Sequence, residues 1–153
     1  MRPASTARAL WLAAALCLAV VVVDQVAKGI VEDHLALGEQ VGVLGPLKLT
    51  LSHNRGVAFG LAGGGGAGLV LLTLAGLAFV CVLFARNPTQ PGIWIAFGLL
   101  AGGAIGNLID RVRSGSVTDF ILLPHWPPFN LADVAVTGGV LTLLAIYLRK
   151  AEG

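Results

Sequence analysis

The chain has 153 residues, 56% apolar and only 12% charged, with a formal net charge of +2 at pH 7. Soluble domains carry roughly 25% charged residues, so this composition, with a mean hydropathy of +0.86, excludes an ordinary soluble enzyme, a disordered chain and a disulfide scaffold. Lys and Arg never cluster beyond a pair, which excludes a basic nucleic-acid binder. Cys17 and Cys81 both lie in apolar runs, unsuited to a disulfide or an aqueous metal site. The class that remains is a small integral membrane protein.

Four stretches are long and apolar enough to cross a hydrocarbon core of roughly 30 Å. They cover about residues 9–30, 67–85, 93–110 and 131–148. The first carries Asp24, Gln25 and Lys28 near its far end. Between the first two spans, residues 41–51 alternate loosely and are rich in Val, Leu and Thr, with Gly42, Gly45 and Pro46 as breaks. This predicts short strands in a β element within about residues 39–62. Gly63 to Gly66 read as a linker. Asn87-Pro88, Pro91-Gly92, Ser114-Gly115-Ser116 and the prolines from Pro124 to Pro128 punctuate the rest. The expected fold is therefore an all-α membrane protein, one domain over residues 1–153. It has four transmembrane helices, a small β element and an outer-face loop over about residues 112–130.

Arg2, Arg8, Arg86, Arg149 and Lys150 fall on one side of these spans, in short segments whose one acid is Glu152. The other five basic residues share longer segments with seven acids. Basic density in short loops places both termini in the cytoplasm. A cleaved signal peptide is the alternative for the N-terminus, but no A-x-A-like site follows the apolar run.

Ionisable groups at membrane depth are costly and mark function by default. Asp24 and Lys28 are spaced i,i+4, acid first, which suits a self-neutralising structural pair. His53-Asn54-Arg55-Gly56 sets polar groups beside a glycine, and glycine lets a backbone approach a ligand closely. Gly98, Gly102 and Gly106 form a small-residue stripe for helix packing. Gly103, Asn107, Asp110 and Arg111 share a face at its outer end. Asp110 could be a buried ion pair, and Arg111 is available for a substrate or an acid elsewhere. Asp119 stands in the apolar run Val117 to Leu123 without an adjacent cation, where desolvation raises a carboxyl pKa. Asn130 and Asp133 make a pattern like a capping box, a structural reading in its own right.

Asp119 and Asp133 are 14 residues apart, both at apolar edges of one outward segment. If they face each other, the two carboxyls share a proton, as in an aspartic protease. The helix-terminal position favours the carboxylate at Asp133, leaving Asp119 as the protonated partner. There is no H-E-x-x-H and no G-x-S-x-G, so metal-dependent and serine hydrolysis fare worse. A small transporter or channel subunit with membrane-edge carboxylates is the alternative from another class.

The series Asp24-Gln25-x-x-Lys28, Asn54-x-Gly56-x-Ala58-Phe59, Gly102-Gly103-x-x-Gly106-Asn107-x-x-Asp110-Arg111, Val117-x-Asp119-Phe120 and Phe129-Asn130-x-Ala132-Asp133 resembles the lipoprotein signal peptidases, or signal peptidase II. Each motif alone is weak, but five in this order are specific. Val57, where the family often has Ala, and the short Pro-His-Trp-Pro-Pro link are mild departures. The resemblance implies a bacterial inner-membrane aspartyl protease with four membrane helices, cytoplasmic termini and an outer β-cradle. Such enzymes remove the signal peptide of diacylglyceryl-modified prolipoproteins just before the lipidated cysteine, and globomycin blocks them. It further implies Asp119 and Asp133 as the catalytic dyad. Asn54, Arg55, Gly56, Asn107, Asp110, Arg111 and Asn130 would line the substrate site, and Asp24, Gln25 and Lys28 would be structural. The expected partners are prolipoproteins and membrane lipids. A monomer without cofactor, metal or nucleic acid is expected.

Overall fold

The computed structural model describes residues 5–56 and 65–151. Val57, Ala58, Phe59, Gly63 and Gly64 lie outside the described residues. The elements run α1 (Thr6–His34), β1 (Gln40–Leu44), β2 (Leu47–Asn54), α2 (Gly65–Arg86), α3 (Ile93–Ser114), β3 (Val117–Leu122) and α4 (Leu131–Ala151). All four helices are long and apolar enough to cross a membrane. The fold is thus mostly helical, with one small antiparallel sheet in the order β1-β2-β3.

The helix ends have local causes. Ser5 caps α1, its side chain accepting the Arg8 N–H at 3.3 Å. The helix continues past the expected residue 30 because Val31 is buried with Leu51 and Phe120 under the sheet. Glu32, Asp33 and His34 lie on the exposed side of this extension. Gly115, at φ +72°, ends α3 and returns its N–H to the Arg111 carbonyl at 3.0 Å. Only glycine takes this left-handed conformation without strain.

The sheet corrects one expectation. The segment expected as an outer-face loop contributes the last turn of α3 and then a third strand. In β3, Thr118 pairs with His53 and Asp119 with Ser52. Its first four residues are all buried, so the in-out alternation that betrays a strand is missing. Beyond it, Phe120 and Ile121 bond to the backbone of Phe129, folding the proline link back against β3.

In α3, 56% of the apolar window is buried, against 6% in α2 and 17% in α1 and α4. Helix α3 is therefore the central post. Its glycine stripe faces α1: a Cβ on Gly102 would lie 2.7 Å from Val20 Cβ, and one on Gly106 would lie 2.8 Å from Asp24 Oδ2. On the α4 side, Gly103 touches the Ala132 carbonyl, and a Cβ on Gly139 would lie 2.6 Å from Leu100. Close approach on both sides brings short polar side chains of three helices within hydrogen-bonding reach. At the opposite end, Phe84 stacks on Phe97 at 4.6 Å beside Ala9, Ala13 and Ile93. Trp11, Leu72, Phe79 and Leu141 are exposed on the outer helices, as suits surfaces that meet lipid.

Candidate active site

Lys28 is the hub of the polar cluster between α1 and α3. Its Nζ lies 2.7 Å from Asp24 Oδ2 and 2.7 Å from Asp110 Oδ2. It also donates to Asn107 Oδ1 at 3.1 Å. The expected Asp24–Lys28 pair is thus one edge of a larger network. Asp24 is fully buried, and its Oδ1 accepts the Ala132 N–H at 2.9 Å, which ties α1 to the first turn of α4. Gln25 donates to Asp110 Oδ1 at 2.8 Å, and the Thr118 N–H donates to Asp110 Oδ2 at 3.2 Å. Asp110 therefore faces the interior network. Arg111 does not hold it. The Arg111 guanidinium instead meets the Asn107 carbonyl one turn back at 3.4 Å, because adjacent helical residues point apart.

The two aspartates meet around Asn130, which is fully buried. Its Nδ2 donates to Asp119 Oδ1 at 2.7 Å, and its Oδ1 accepts the Asp133 N–H at 2.9 Å. Asp133 Oδ2 accepts the Asn130 N–H in return at 3.2 Å, so the capping box is real. Asp133 Oδ1 is left to Asn107, whose Nδ2 donates at 2.8 Å. Asp119 is 2% exposed and accepts a second amide, Asn54 Nδ2, at 3.1 Å. Capping and membership of the site thus coexist at Asp133.

Burial pushes the Asp119 carboxyl up to about 6. The donors from Asn54 and Asn130 and the charge of Lys28 oppose that rise, while the neighbouring charge of Asp133 adds to it. The site therefore holds one acid that favours its proton beside a second carboxyl at a helix N-terminus. That is an acid/base pair in outline.

Gly56, at φ +73°, donates its N–H to Asn54 Oδ1 at 2.8 Å and packs on Leu69 of α2. Arg55 is exposed just beyond β2. Among the described residues, no side-chain hydrogen bond joins Arg55 or Arg111 to either aspartate. Sequence reasoning missed Glu32, whose carboxylate accepts the Thr118 hydroxyl at 2.6 Å and anchors β3 to α1. Its spacing of four from Lys28 was the available signal. A mostly apolar groove of about 560 Å³ lies beside Asp133, with Trp126, Phe129, Val134 and Leu141 in its wall.

A family model described as signal peptidase (SPase) II matches residues 16–149. The chain belongs to the signal peptidase II family. It is 42% identical over 151 residues to the lipoprotein signal peptidase of Chlorobium phaeobacteroides (strain BS1), covering 88% of this chain and 94% of the relative. It is 42% identical over 147 residues to that of Brucella ovis, covering 92% of each. A bacterial membrane enzyme solved by the in meso method at 1.9 Å superposes with a TM-score of 0.84 at 31% identity, over 89% of this chain and 92% of that one. A second, at 2.3 Å, gives 0.83 at 30% identity, over 91% and 88%. As a signal peptidase II member, the chain is a multi-pass membrane protease.

Proposed function

We propose that this chain is an aspartic endopeptidase that removes the signal peptide from diacylglyceryl-modified prolipoproteins, cutting just before the lipidated cysteine. In this reading Asp119 and Asp133 are the catalytic residues. The observation that carries it is that buried Asn130 touches both carboxyls, its side-chain Nδ2 donating to Asp119 Oδ1 and its backbone N–H donating to Asp133 Oδ2. The enzyme works as a monomer at the outer face of the bacterial inner membrane, with both termini in the cytoplasm. Membership of the family and the basic density of the short loops support that placement.

The steps follow from the two environments. The carboxylate of Asp133 takes a proton from water, and the resulting hydroxide adds to the carbonyl carbon before the lipidated cysteine. Protonated Asp119 gives its proton to the carbonyl oxygen, leaving a neutral gem-diol. As the C–N bond breaks, the nitrogen takes the proton held by Asp133. A diol hydroxyl returns its proton to Asp119 as the new carboxylic acid forms. Asn54 and Asn130 hold the Asp119 carboxyl and orient the peptide. Arg111 and Arg55 are the cations placed to meet substrate carbonyls. The apolar wall beside Asp133 receives the apolar part of the substrate.

Asp119→Asn and Asp133→Asn are expected to abolish cleavage of a lipidated precursor while the proteins remain folded and inserted. Turnover near that of the unaltered enzyme in either variant refutes the aspartic mechanism. Globomycin is expected to block the unaltered enzyme in the same assay.

A further inference from the structure

The chemistry above uses no residue of α1, yet Lys28 reaches the site through one side chain. We propose that Lys28 is a positioning residue for the dyad: its ammonium fixes the Asn107 amide in the orientation that offers a donor to Asp133. This rests on the reading of Asp119 and Asp133 as the catalytic pair.

An asparagine amide is nearly symmetric in shape, and a flip exchanges its acceptor and its donor. A lysine ammonium can only donate. Lys28 Nζ sits 3.1 Å from Asn107 Oδ1, and both residues are buried. With Asn107 flipped, Nδ2 would face the ammonium, donor against donor. Its Oδ1 would face the Asp133 carboxylate, acceptor against acceptor. Each buried mismatch carries a desolvation cost. Lys28 thus selects the orientation in which Asn107 Nδ2 donates to Asp133 at 2.8 Å.

The ammonium is itself pinned. Its other two N–H groups go to Asp24 on α1 and Asp110 on α3, both at 2.7 Å. Asn130 Nδ2 also donates to Asn107 Oδ1 at 3.1 Å, but that group is shared with Asp119 and the Thr118 carbonyl.

The same rule governs the other two amides at the site. The Gly56 N–H holds Asn54 Oδ1, and the Asp133 N–H holds Asn130 Oδ1. Each asparagine amide that touches Asp119 or Asp133 therefore has its oxygen taken by an obligate donor. Two of those donors are backbone, and the third is Lys28.

The test compares Lys28→Gln with Lys28→Met in the full-length protein, using a lipidated precursor. Both variants lose the charge, and only Gln keeps an N–H for Asn107. Lys28→Gln is expected to keep kcat within about threefold of the unaltered enzyme, and Lys28→Met to lose about tenfold more, with KM little changed in both. That gap is expected to close in an Asn107→Ala background, because the route runs through this amide. Equal kcat in the two Lys28 variants overturns the proposal, as does a gap that persists without Asn107. If Lys28→Met does not fold, both variants are made with Asp24→Asn and Asp110→Asn, which leaves no buried charge unpaired. Asp119→Asn in the same assay separates the two readings. Turnover by it refutes the dyad, whereas an inactive Asp119→Asn beside equal Lys28 variants refutes this proposal alone.

Discussion

The environment of Asp119 predicts a stability that depends on pH, and Asp119→Asn isolates it. Burial raises this carboxyl from 3.8 to about 6, so the folded protein holds the proton more tightly than the unfolded chain. The stabilisation is fully present below pH about 4 and is lost as pH rises through about 6. The displacement corresponds to about 3 kcal/mol between those limits. At 2% exposure there is little solvent to screen it. Asparagine cannot ionise, so the variant lacks this slope. It also has one carbonyl where the carboxyl met two amide donors, Asn54 and Asn130. That loss costs about 1 kcal/mol at every pH and shifts the variant's curve without tilting it. In detergent, melting temperatures are measured from pH about 4 to pH about 8. At 2–4 °C per kcal/mol for a chain of about this size, the unaltered protein is expected to fall about 6–12 °C further than the variant. Two curves that stay parallel across the range refute the argument. Asp133→Asn adds a check: removing the neighbouring charge moves the midpoint of the Asp119 transition to lower pH.

Four further outcomes follow from packing and pairing. Gly102→Ala forces a Cβ to within 2.7 Å of Val20 Cβ and is expected to cost about 1–3 kcal/mol in thermal melting. Gly29→Ala, where nothing lies within 4 Å, is expected to be neutral or to stabilise by up to about 1 kcal/mol. Asp24→Ala leaves Lys28 short of one partner and the Ala132 N–H without an acceptor. It is expected to cost about 3–5 kcal/mol, read as a fall in folded yield with turnover per folded molecule retained. Gly56→Ala meets a positive φ and Leu69 together. The turn that aims Asn54 at Asp119 is displaced, and kcat is expected to fall by about tenfold or more, measured on the lipidated precursor.

The spans were legible because membrane burial demands long apolar runs, and such runs are visible without any partner. The glycine stripe was legible for the same reason: spacing along one helix declares a face. Strand β3 was not legible. A strand buried on both sides loses its alternation, and Asp119 interrupts the remaining apolar run. The last turn of α1 was not legible, because it lies beyond the apolar run, with Val31 under the sheet and Glu32, Asp33 and His34 on the exposed side.

What the sequence could not show is who meets whom. Residues out of place announce themselves singly: an aspartate among valines and phenylalanines, a lysine inside a span. Their partners lie far along the chain. Asp24 answers to a backbone N–H 108 residues away, Lys28 to an amide 79 away, and Asp119 to one 65 away. Such contacts depend on how closely the helices approach, and here glycines set that distance. This explains why Asp110 and Arg111, neighbours in one motif, divide their roles. One turns inward to neutralise Lys28, and the other is left at the edge of the site. A buried ammonium with two carboxylates is expensive to assemble from water. It is retained here at the point where three helices converge, and its third N–H is the one that reaches Asn107, the amide that donates to Asp133.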